Sequence, residues 1–77
     1  MGKYRIEIIG EKGKSVINVE GCKSIEKYTS EMISVTLQYI IFTVCGKGLS
    51  MPVLIDNNLC IRGYVKETSF KPSEKEK

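Results

Sequence analysis

The chain has 77 residues, 42% of them apolar, and a formal net charge of +3. That length holds one domain, and the apolar share is too high for a disordered chain. No apolar run reaches the roughly 20 residues of a membrane-spanning helix, and the mixed Lys and Glu read as a solvated surface, not a nucleic-acid footprint.

Tyr4-Arg5-Ile6-Glu7-Ile8 alternates apolar and polar side chains and predicts a first strand. The start of the chain leads into this pattern and not into a signal-peptide core. Val16/Ile17-Asn18-Val19 predicts a second strand. From Ser24 to Ile33 two readings compete. Ile25, Tyr28, Met32 and Ile33 lie near helical spacing and Ser24 could cap a helix, against the all-β reading of the rest of the chain. Ile33, Val35 and Leu37 then fall on odd positions, whereas Ile40, Phe42 and Val44 fall on even ones. A two-residue turn at Gln38-Tyr39 or a bulge there would return both sets to one core. Leu49-Ser50-Met51 with Val53 predicts a further strand, and Pro52 makes it an edge or a broken strand. Asp56-Asn57-Asn58 is a turn, because Asn and Asp tolerate left-handed backbone. It should join that strand to the one at Leu59-Cys60-Ile61. The domain is expected to span residues 1–70, with 71–77 a disordered charged tail.

A sharper pattern underlies the alternation. Apolar-x-apolar-x-Gly occurs at Ile6–Gly10, Ile17–Gly21, Phe42–Gly46 and Leu59–Gly63. The first, third and fifth positions of a strand share a face. Each cassette sends two apolar side chains inward and then reaches glycine on that side. Gly10, Gly21, Gly46 and Gly63 are therefore the candidate bend positions. The expected fold is all-β: a small single-domain meander or β-sandwich of short bent antiparallel strands. So small a core favours a homo-oligomer formed through a sheet edge.

The chain contains no histidine, so a Ser-His or Cys-His dyad is excluded. Glu7, Glu20, Glu26, Glu31, Asp56 and Glu67 all fall among outward positions, without the burial that tunes a carboxylate for catalysis. Cys22, Cys45 and Cys60 form no Cys-x-x-Cys pair and read as partly buried thiols in a reducing compartment. Gly46-Lys47-Gly48-Leu49 lacks the rest of a phosphate loop and reads as a turn. No catalytic, cofactor-binding or metal-binding residue is assigned, and the chain is expected not to be an enzyme. Neither a small-molecule substrate nor a nucleic acid is expected. The alternative reading is a small nucleic-acid-binding β-barrel, for which four tyrosines and a pI near 8.8 are the motive.

From Ile17 to about Phe70 the chain resembles the YabP/YqfC family of sporulation proteins. The resemblance runs through Ile17-Asn18-Val19-Glu20-Gly21, then Ile25 and Tyr28, then Glu31-Met32-Ile33-Ser34-Val35. It continues with Phe42-Thr43-Val44-Cys45-Gly46-Lys47-Gly48-Leu49 and ends with Leu59-Cys60-Ile61-Arg62-Gly63-Tyr64-Val65. Each motif alone is a strand ending in glycine, so the specificity lies in the series. Gln38-Tyr39 departs from the family, whose members tend to have turn residues there, often glycine. The resemblance implies an all-β fold and a role in endospore formation, connected with cortex or coat assembly and without a known reaction. It also implies a cytoplasmic protein of the mother cell, peripheral to the forespore membrane, and admits a membrane-protein partner.

Overall fold

The computed structural model describes residues 4–11 and 13–73. Six strands form: β1 (Arg5–Glu11), β2 (Lys14–Glu20), β3 (Ser24–Tyr28), β4 (Met32–Thr36), β5 (Ile40–Ile55) and β6 (Asn58–Pro72). The described residues contain no helix. All strand pairs are antiparallel, in the order β1-β2-β6-β5-β4-β3. The all-β expectation from period-two alternation therefore holds.

The strands are not uniformly short. β5 has 16 residues and β6 has 15. Each keeps different company along its length. β4 pairs with β5 only from Ile41 to Cys45, and β2 pairs with β6 only from Asn58 to Gly63. One half of the sheet is thus β1, β2, the start of β6 and the end of β5. The other half is β3, β4, the start of β5 and the end of β6. Ile17 and Ile61 from the first half and Ile33, Val35 and Val44 from the second are fully buried in one cluster. With no helix to cover them, burial that complete requires the two halves to face each other. The linker agrees: residues 21–23 alone carry the chain from β2 to β3, at the far end of the strand order. A flat sheet could not be crossed by so few residues. The molecule is a single sheet creased across β5 and β6.

The parity switch is resolved as a hairpin. The Leu37 N–H donates to the Ile40 carbonyl at 2.8 Å across Gln38-Tyr39. Leu37, Phe42 and Val44 all face the core. The helical alternative at 24–33 fails for a concrete reason. Its apolar spacing belongs to two strands, in which Ile25 pairs with Val35 and Tyr28 with Ile33. Thr29 closes the turn between them: its N–H donates to the Met32 carbonyl, and its Oγ1 accepts from the Glu31 and Met32 N–H groups. Asp56, with φ of 58°, supplies the left-handed residue of the β5–β6 turn. The sheet also extends past the expected boundary at Phe70. Lys71 and Pro72 complete β6 opposite Ile41 and Ile40. Ser73 is buried, and its N–H donates to the Tyr39 carbonyl at 2.9 Å. The rest of the expected tail, 74–77, lies outside the described residues.

The β2–β3 linker is clamped. Gly21 and Cys22 both donate their N–H groups to the Asn57 carbonyl, and Asn57 Nδ2 returns a bond to the Cys22 carbonyl. This holds the Cys22 thiol in the core, where burial pushes its pKa up, partly offset by a hydrogen bond with the Ser24 backbone. A thiol that holds its proton more tightly when folded stabilises the fold below the unfolded pKa. That contribution is lost as pH rises through the alkaline range, from about 8.5 upward. Urea midpoints measured from neutral to alkaline pH should decline, and Cys22→Ala should flatten the decline relative to the native chain. Equal slopes would show that this thiol contributes nothing to it.

Candidate functional site

The distinctive geometry lies at the crease. Gly46 is buried in the middle of β5, and a Cβ built on it would stand 1.9 Å from the Tyr64 carbonyl oxygen. Gly63, with φ of 146°, approaches the Gly48 carbonyl and Leu49 on the other side, at 2.8 Å and 2.9 Å from its own hypothetical Cβ. The two long strands cross here too closely for any side chain. Register shifts in the β5–β6 ladder fall between Cys45 and Gly46, between Lys47 and Ser50, and between Ser50 and Val53. They let β5 turn its inward set from Val44 to Leu49 without ending the ladder.

Backbone groups released by the crease find other partners. Gly46 donates its N–H to Glu31 O at 3.0 Å, and Leu49 donates to Ser30 O at 2.8 Å. The Met51 N–H donates to the Tyr28 hydroxyl at 2.9 Å. The β3–β4 turn thus caps the flank of β5 where β4 leaves it.

The other candidate glycines play different parts. Gly21, with φ of 89°, follows β2 and turns the chain toward β3. Gly10 sits inside β1 opposite Ser15, whose Oγ lies 3.9 Å from its hypothetical Cβ, an ordinary contact distance. Gly48, with φ of 61°, belongs to the crease and falls outside the cassette pattern. Its only signal in the sequence is its place beside Gly46.

On the outer face at the crease lies an open depression of about 790 Å³, lined among others by Ile9, Lys14, Val16, Ser50, Arg62 and Tyr64. Ile9, Val16, Arg62 and Ser50 form one row of register partners across β1, β2, β6 and β5. The Lys14 ammonium lies 5.7 Å from the centre of the Tyr64 ring. The depression offers two cations and one ring face.

The carboxylates of Glu7, Glu20, Glu26, Glu31, Asp56 and Glu67 are on exposed residues, as alternation predicts. All three cysteines are free thiols, with Cys22 buried and Cys45 and Cys60 half-buried. Among the described residues no three His, Cys, Asp or Glu side chains gather as a metal site. No described helix is long and apolar enough to cross a membrane.

Among the described residues, four stretches of the sheet have a neighbour on one side only: β1, β3, the end of β5 and the end of β6. Large apolar side chains stand exposed on them, including Ile8, Tyr28, Leu54, Ile55 and Phe70.

The YabP family model matches residues 3–77, nearly the whole chain, and the chain belongs to that family. Comparison with curated proteins and with solved structures gave no match.

Proposed function

We propose that this member of the YabP family is a non-enzymatic assembly or adaptor module of endospore formation, acting in the building of the cortex or coat. Membership of the family suggests a sporulation-related protein, and the match over residues 3–77 is the observation that carries the reading. The surface fits an adaptor better than a catalyst. It offers open sheet edges with exposed apolar side chains, which present unpaired backbone groups to another chain. The carboxylates of Glu7, Glu20, Glu26, Glu31, Asp56 and Glu67 stand on exposed residues. The setting proposed is the mother-cell cytoplasm against the forespore membrane, with a membrane protein as partner and a second copy of the chain as another. A nucleic-acid-binding barrel would need a basic groove with several stacking rings. The outer depression supplies Lys14, Arg62 and Tyr64, which is a thin platform for that task.

Deleting the gene in an endospore-forming host should give spores with defective cortex or coat and lowered heat resistance, restored by the native chain. Normal layers by electron microscopy together with normal heat survival would sink the proposal.

A further inference from the structure

The four open edges are not equally guarded. Natural sheets protect their edges with bulges, prolines and lysines. β3 carries a register shift between Ile25 and Lys27. The end of β5 carries Pro52 and two register shifts, and the β3–β4 turn takes up the N–H groups of Gly46 and Leu49. The end of β6 carries Lys66, Lys71 and Pro72. β1 lacks all of this. Its ladder with β2 runs from Arg5 to Glu11 without a shift, and the strand itself contains no proline or lysine.

The edge of β1 is also complementary to itself. Tyr4-Arg5-Ile6-Glu7-Ile8 reads apolar, plus, apolar, minus, apolar. Laid antiparallel against a second copy about Ile6, it sets Arg5 opposite Glu7 twice, Tyr4 opposite Ile8 twice, and Ile6 opposite Ile6. A register centred one residue earlier sets Arg5 against Arg5. One centred on Glu7 sets Glu7 against Glu7. Like charges directly opposed destabilise a strand pair, and opposite charges stabilise it. The Ile6-centred register also keeps the apolar set on the core side of both copies. Ile6 and Ile8 pair with the buried Val19 and Ile17 of β2, yet Ile8 is 53% exposed for want of a neighbour on its other side.

We infer that β1 is a homotypic docking edge: two copies join β1 to β1 antiparallel about Ile6, with Arg5 of each facing Glu7 of the other, into one continuous sheet. The inference rests on the assembly reading above and names its partner as a second copy of this chain.

The test is light scattering of the full chain over a concentration series, with Arg5→Glu, Glu7→Arg and the double exchange. Both residues are exposed, and circular dichroism checks each fold. The native chain should dimerise. Each single exchange should weaken the dimer about tenfold or more, by setting like charges opposed in both symmetric pairs. The double exchange should restore it. Ile6→Cys supplies a second reading of the register. Directly opposed antiparallel residues have Cα atoms about 4.5–5.5 Å apart, within disulfide reach. Mild oxidation should cross-link Ile6→Cys above the background of the native thiols and leave Ile8→Cys at that background. A strict monomer overturns the inference, as does a dimer indifferent to the exchanges or one cross-linked at Ile8→Cys instead. A sporulation defect on deletion, found with a strict monomer, would overturn this edge alone and leave the proposed function standing.

Discussion

Gly46→Ala should abolish cooperative folding. The new methyl would stand 1.9 Å from the Tyr64 carbonyl oxygen and 2.9 Å from the carbon that bears it. Both are backbone atoms of a paired strand, so no rotamer change relieves the clash. β5 and β6 would have to separate at the crease, breaking the ladder that joins the two halves of the sheet. Forced backbone displacement belongs to the class of substitutions that cost about 4 kcal/mol or more. A chain this small has roughly 3–5 kcal/mol of stability in total. Gly63→Ala should fail likewise, because its φ of 146° is poor for any side chain and its space is taken by Gly48 and Leu49. Gly10→Ala is the internal control. Its nearest neighbour is Ser15 Oγ at 3.9 Å, so it should melt within a few degrees of the native chain. Thermal melts followed by circular dichroism compare the three directly. A cooperative, near-native melt for Gly46→Ala would show that the strands do not cross this closely.

These glycines mark what the sequence could and could not disclose. Period-two alternation identifies inward side chains, so Ile17, Val19, Phe42, Val44, Leu59 and Ile61 are legible as core from the alternation alone. It does not name the strand opposite. Nothing local says that β2 lies beside the first half of β6, some 40 residues away, and not beside β3. The crease therefore could be located at Gly46 and Gly63 but not drawn: a bend in a strand and the end of a strand look alike in sequence. The end of β6 was obscured for a different reason. Lys71 and Pro72 resemble the start of a tail, but charges and proline are also ordinary guards of an exposed edge. The same logic hid β1. Arg5 and Glu7 read as routine solvent-facing charges until the strand order placed them on an open edge. The crease's close approach and the place of β1 at the end of the strand order are tertiary facts that local patterns do not encode.

Phe42→Ala should cost about 3–5 kcal/mol, the usual range for emptying a buried phenylalanine site. Phe42 is 1% exposed and belongs to the central cluster with Val44, Ile33 and Val35. It also lies opposite Phe70, with ring centroids 4.9 Å apart and planes tilted by 32°. Phe70 is 55% exposed, so the two rings stand in unequal surroundings and their removal separates two effects. If burial dominates, Phe42→Ala unfolds most of the chain at room temperature. Phe70→Ala should then cost little more than the ring pair itself, about 0.5–1.5 kcal/mol. If the ring pair were the main contribution, the two substitutions would cost nearly the same. Urea titrations of both variants decide between these outcomes, with Phe42→Leu as the version that keeps most of the volume. Fully buried volume is the larger effect. The inner strands of the crease are therefore expected to carry most of the stability, and the exposed rings of the outer edge little of it.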